Sequence, residues 1–282
     1  MKHTRFYRIL FLFCACLLLF ALSACSDDEK PTETESESES ESASVTDEPT
    51  ELPTEEENTE PKKRVAFTFD DGPHPAYTKR IVDCARAHGG RVTFFVVGYM
   101  LNRSQDHADA FLYALDADCE VGLHGFSHIN YDECDEETFL SELSRTLDAA
   151  KRIAPDFKTA LMRPVGGRIP EEYVKICPYA VVKWNVDTRD WERHGGASEQ
   201  EREEEIRAIV DEIVKSAKDG SIILMHDLYE NTAIAFERAA EILASEGYEL
   251  VTVSELLGED LQAGKIFSKG KPIEAMQTGK NK

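Results

Sequence analysis

The 282 residues carry 54 acidic against 32 basic side chains, a net charge of −22, and 41% of them are hydrophobic. No basic stripe is visible, which argues against nucleic acid as a partner, and the apolar content suffices for one domain with a full core. The charge is uneven: residues 26–60 hold 15 acids against one lysine and residues 1–25 hold three cations, which leaves −11 for residues 61–282.

Residues 1–25 read as an export signal. Lys2, Arg5 and Arg8 form a positive start, and residues 9–22 form an apolar core of 14 residues, short for a membrane span. The core closes on Leu22-Ser23-Ala24-Cys25, which looks like a bacterial lipoprotein cleavage box with Cys25 as the lipidated residue; an ordinary signal peptide or an uncleaved anchor is the blander reading. Both place the rest of the chain outside the cytoplasm, and the lipid reading anchors it to the membrane. Residues 26–63 are Ser-, Thr-, Glu- and Pro-rich with few apolar side chains, the composition of a solvated acidic tether rather than a binding tail.

From residue 64 to 258, strand and helix signals alternate. A β-rich run at 65–69 ends at Asp70-Asp71-Gly72-Pro73. Helical spacing follows over 77–87, a strand over 91–97, a helix over 104–117 and a short strand over 120–123 leading into His124. The spacing predicts a long amphipathic helix over 135–154, a strand over 157–162 running into Arg163, and a short helix over 171–176. A strand over 179–186 precedes Asp187 to Trp191, and a helix begins at Ser198 with Glu201 at capping-box distance. A strand over 222–225 leads into His226, followed by a helix over 232–245 and a last strand over 249–253. Residues 259–282 read as a polar tail. Such alternation implies parallel β/α units, as a barrel or an open doubly wound sheet. Cys84, Cys119, Cys134 and Cys177 lack C-x-x-C spacing, and the sequence leaves open whether they form two disulfides or remain buried thiols.

Five polar clusters fall just past predicted strand ends, the rim where β/α barrels gather catalytic side chains. In Asp70-Asp71, a metal at one carboxylate would relieve their repulsion and leave the other as a base, though alone the pair reads as a turn. His124 and His128, four apart, could point the same way from one helical turn and bind a divalent ion, or be two surface histidines. Arg163, before the Pro164-Val165-Gly166-Gly167 turn, could set the basicity of a carboxylate; an ordinary loop arginine is the alternative. Trp184, Asp187, Asp190 and Trp191 could wall an acyl pocket or split between core and surface. His226 could protonate a leaving amine or be a satisfied core histidine. His3, His74, His88, His107 and His194 read as ordinary, with His74 closest to the first cluster.

Taken together and in this order, the clusters resemble the five motifs of the polysaccharide deacetylases with a NodB-homology domain, the fourth carbohydrate esterase family, over residues 64–258. That resemblance implies a distorted (β/α) barrel of about seven parallel strands. It implies metal-dependent hydrolysis of N-acetyl groups on a polysaccharide; the lipid anchor and acidic tether favour one near the cell's own wall, with peptidoglycan N-acetylglucosamine as the expected substrate. By the same resemblance Asp70 is the base, and Asp71, His124 and His128 are the ligands of one divalent metal. Zinc comes first, with cobalt, nickel, iron and manganese as other candidates. Arg163 orients the base, Asp190 tunes His226 as general acid, Trp191 and Leu224 wall the acetyl pocket, and the Gly166 N–H serves the oxyanion. An O-acetyl esterase acting on a polysaccharide such as acetylxylan, and a catalytically silent carbohydrate-binding module, are the rival readings. The partners expected are the polysaccharide and, through the lipid, the membrane, with no obligate protein partner. Two departures stand out: Val165 and Gly166 replace the family's Pro and Tyr, and Gly125 stands where Ser or Thr usually follows the first histidine. Lower rate or altered substrate preference is the expected result.

Overall fold

The computed structural model describes residues 62–271. The predicted signal, Cys25 and nearly all of the predicted tether lie outside the described residues. In chain order the elements are β1 (Lys63–Asp70), α1 (Tyr77–Ala87), β2 (Thr93–Val96), α2 (Gly98–Leu101), α3 (Gln105–Asp116), β3 (Glu120–Leu123), α4 (Glu136–Ile153), β4 (Leu161–Met162), α5 (Glu171–Ile176), β5 (Ala180–Val182), β6 (Val186–Asp187), α6 (Glu199–Ser216), β7 (Ser221–His226), α7 (Glu230–Ser245), β8 (Tyr248–Leu250), α8 (Val253–Leu257) and β9 (Ile266–Phe267). Among the described residues no helix is long and apolar enough to cross a membrane.

The strands form one sheet in the order β6-β7-β1-β2-β3-β4-β5-β9, with β8 paired to the start of β1, and every strand pair is parallel. The order itself requires curling. β5 stands near one end of the sheet and β6 at the other, yet only residues 183–185 separate them in the chain. That link must bring the two ends together, which makes the fold a distorted β/α barrel. Its backbone ties both ends, since Lys183 N–H donates to Phe267 and Asn185 N–H to Ile222.

Strand periodicity then sorts the core. On β1, Val65, Phe67 and Phe69 pack outward against helix residues such as Ile81 and Phe236. Ala66 joins a separate interior cluster with Phe95, Leu161, Val182 and Ile222, against which Val253, Leu256 and Leu257 also pack. Thr68 and Asp70 continue the inward column of Ala66, so the interior changes from apolar to polar toward the strand C-termini. α6 starts as its sequence predicts: Ser198 accepts from Glu201 N–H, and Glu201 reaches back to the Ser198 N–H.

Four expectations change. The strand predicted over 157–162 is only Leu161–Met162. The one predicted over 179–186 is two, β5 and β6, because the barrel closes at 183–185. The last predicted strand stops at Leu250, because Thr252 and Glu255 form a capping box that starts a helix at Val253. The predicted polar tail contains β9, which pairs with β5. All four domain cysteines are free thiols, which settles the question left open above.

Candidate active site

Two aspartates leave the end of β1 with different environments. Asp70 is the last strand residue and buried; its Oδ1 accepts from Arg163 Nη1 at 2.8 Å. Arg163 follows β4 and is fully buried inside the barrel. It also donates to Thr68 Oγ1 (2.7 Å), Val182 O and Lys183 O (both 3.2 Å), and its guanidinium lies 4.2 Å from the centroid of the Phe95 ring. A buried cation is stable only when its donors are satisfied, and four of those donations are accounted for here.

Asp71, one residue on, takes a left-handed backbone (φ 75°) and turns toward His124 and His128. Its Oδ1 lies 3.3 Å from His124 Nε2 and 2.9 Å from His128 Nε2, and the three donor atoms lie within 4.8 Å of one another. His124 Nδ1 is 2.8 Å from the Arg163 carbonyl, which assigns the ring proton to Nδ1 and leaves Nε2 free to ligate. Asp71 Oδ1 is buried and has no hydrogen-bond donor. Burial works against the Asp71 charge, but the adjoining His124 and His128 imidazoles outweigh it and hold the carboxyl far below the usual range. One carboxylate and two imidazoles facing one point fit a divalent ion with open positions. The histidines do not share a helical turn as their spacing suggested. His124 leaves β3, and a loop with His128 at φ 56° brings the second ring back.

His226 ends β7 across the barrel. Its Nδ1 lies 2.9 Å from Asp190 Oδ1, and its own N–H donates to Asp190 Oδ2 at 2.8 Å. Asp190 is fully buried and also accepts from Thr188 Oγ1 (3.1 Å) and Thr232 Oγ1 (2.7 Å). Burial would make His226 less basic; the Asp190 charge and hydrogen bond outweigh this and raise its pKa to about 9. Next door, the fully buried Asp227 takes a hydrogen bond from Thr78 Oγ1, and desolvation pushes its pKa up to about 7.

A cavity of about 450 Å³ brings Asp70, Asp71, His124, His128, Gly166, Trp191, Leu224 and His226 to one surface, with Arg163 and Asp190 behind it. Trp191 is 48% exposed, so it forms an outer lip rather than a deep wall. Val165, Trp184, Asp187 and Tyr229 line the same cavity. Tyr229 was not visible in the sequence, lying beyond the fifth cluster; the His194 ring stacks on it at 4.0 Å. His74 caps α1 instead, its Nδ1 accepting the N–H groups of Ala76 and Tyr77. A larger groove, about 560 Å³, lies between α1 and α7 but holds no comparable convergence of groups.

Comparison with known proteins agrees with this geometry. The family model described as polysaccharide deacetylase matches residues 57–182. The peptidoglycan-N-acetylglucosamine deacetylase of Bacillus cereus is 33% identical over 205 residues, covering 70% of this chain and 89% of that protein. The chain is a member of the polysaccharide deacetylase family. Another polysaccharide deacetylase, the peptidoglycan-N-acetylmuramic acid deacetylase PdaC of Bacillus subtilis, is 34% identical over 73% of this chain, which spans 41% of that relative's length. The solved structure of PdaC superposes with a TM-score of 0.62 at 33% identity, covering 69% of this chain and 89% of that one.

Proposed function

We propose that this polysaccharide deacetylase removes N-acetyl groups from peptidoglycan, with the N-acetylglucosamine residue as its substrate, at the outer face of a bacterial membrane to which Cys25 anchors it. The observation that carries the reaction is the meeting, in one cavity, of a two-His, one-Asp ligand set with two buried ion pairs of opposite sense. The signal-like residues 1–25, the acidic stretch after them and the named activities of the relatives support the location and the substrate.

A divalent ion held by Asp71, His124 and His128, zinc first among the candidates, would polarise the acetyl carbonyl and ease deprotonation of water. Asp70, oriented by Arg163, takes the proton of the attacking water. The backbone of the Val165-Gly166 turn lines the same cavity and is the protein's own donor to the developing oxyanion. His226, kept cationic by Asp190, gives its proton to the departing amine. Trp191, Trp184, Tyr229 and Leu224 enclose the acetyl group and the sugar face that carries it.

The test is acetate release by the purified protein from peptidoglycan, N-acetylglucosamine oligomers and acetylxylan, with chelator and with added zinc, against Asp70→Asn. Metal-dependent release from the N-acetylated glycans, reduced by about 10²–10⁴-fold in the variant while zinc still binds, is the expected result. Release from acetylxylan alone would assign an ester substrate, and no release from any of them would leave a binding module.

A further inference from the structure

α4 buries the stripe Phe139, Glu142, Leu143, Thr146, Ala149 and Ala150. Five of these six suit a helix packed on a sheet. Glu142 does not: a carboxylate at 2% exposure is costly unless its oxygens are bonded. Those bonds lead to the metal site. Oε2 accepts the backbone N–H of Phe126 at 2.8 Å and of Ser127 at 2.6 Å, two of the three residues between His124 and His128 that carry the turn. Oε1 accepts from Arg145 Nη1 at 3.0 Å, and the Arg145 guanidinium lies 3.9 Å from the centroid of the Phe126 ring, closing the unit from outside. The carbonyls of the same turn are held by α2: Gly98 N–H donates to Gly125 O at 2.9 Å and Tyr99 N–H to Phe126 O at 3.0 Å.

The turn itself needs such support. Gly125 sits at φ 79° and His128 at φ 56°, both in the left-handed region that costs an ordinary residue about 1–2 kcal/mol. No side chain at position 125 can supply it, because a Cβ there would lie 2.7 Å from Tyr131 Oη, which is buried. The brace therefore comes from a helix residue fifteen positions beyond Ser127.

We propose that Glu142 is a positioning residue for the metal site: by accepting both amides of the 125–128 turn it fixes His128 against Asp71 and His124, and so sets the affinity for the ion. This rests on the metal reading above, not on the identity of the substrate. A role in folding alone would lower stability without moving metal affinity in proportion to the reach of the side chain.

The test measures zinc affinity of the whole protein by competition with a chromophoric chelator, together with the melting temperature of the metal-free protein, for Glu142→Gln, Glu142→Asp and Glu142→Leu. Gln keeps an acceptor oxygen at the same reach and is expected to bind zinc within about threefold of wild type. Asp keeps the charge but falls short of the turn, and Leu offers no acceptor. Both are expected to lose about 10–100-fold in affinity, the usual effect of removing a group that orients a metal ligand. Wild-type affinity in folded Asp or Leu variants, or greater loss in Gln than in Asp, would overturn the inference. If Leu does not fold, the Gln and Asp pair decides. Zinc bound by wild type without acetate release would remove the proposed reaction and leave this inference standing. No zinc bound by wild type would remove both.

Discussion

The two sides of the cavity solve the same problem with opposite charges. On the β1 side a buried, cavity-lining carboxylate, Asp70, is held by a fully buried cation, Arg163. On the β7 side a surface-facing imidazole, His226, is held by a fully buried anion, Asp190. They differ in how the buried partner is satisfied. Arg163 spends its donors on two backbone carbonyls, a threonine and Asp70, so it also ties β1 to the closing link of the barrel. Asp190 is served by Thr188, Thr232 and His226, so its bonds stay on the β7 side. The lesson is that Asp70 is built into the fold, whereas His226 is tuned by a local cage.

Arg163→Met breaks this comparison hardest. It strands Asp70 and leaves the carbonyls of Val182 and Lys183 without their donor, so about 3–5 kcal/mol of stability should go with most of the activity. For a domain of this size that is a fall in Tm of about 10 °C, read by thermal melting. The Arg163 carbonyl that orients His124 is backbone and survives, so zinc binding in the folded fraction should persist.

Asp190→Asn should leave the fold in place and change the pH response. The folded His226 is raised from 6.5 to about 9, so its pairing contributes stability that is complete below pH 6.5 and lost as pH rises through about 9. The difference in Tm between wild type and variant should therefore be greatest in acid and shrink toward pH 9 and above. The alkaline limb of kcat, near 9 in wild type, should move toward 6.5, with a drop in kcat of about 30-fold at pH 8. An unmoved limb would assign the acid elsewhere.

Gly166→Tyr is the mildest change. A Cβ at 166 meets only Arg168 Nε, at 3.8 Å, so there is room, but φ 58° makes the backbone strained for tyrosine by about 1–2 kcal/mol. A small loss in Tm with a changed KM on glycan oligomers is expected; no kinetic change on any substrate would show that the loop composition is neutral.

The barrel and its rim were legible because each rests on local patterns. The 65–69 run, the Ser198 capping box and the strand-end positions of Asp70, His124, Arg163 and His226 are signals within a few residues. What the sequence hid depends on distance or brevity. Two-residue strands such as β4, β6 and β9 are too short to show a period. The 179–186 stretch reads as one strand because its break is imposed by closure of the sheet, not by a turn residue. Glu142 looks like any helix glutamate, since the amides it serves lie fifteen and sixteen residues before it, beyond the reach of a helical period. The convergence of His124 and His128 was correctly placed for the wrong local reason, as a loop with a left-handed residue replaces the helical turn.

The apolar packing beneath Thr68 and Asp70, where α8 residues meet Phe95, Leu161 and Ile222, gives the cavity an apolar floor. A glycan chain would not thread through such a floor. Under the proposed reaction it would lie across the opening and lower one acetamido group inside, and the acetate would leave past the chain that delivered it. Turnover on long glycans is then a question of traffic: the chain must shift or lift before the small product can leave, and short oligomers, which clear the threshold easily, should cycle faster than polymer whenever release limits the rate.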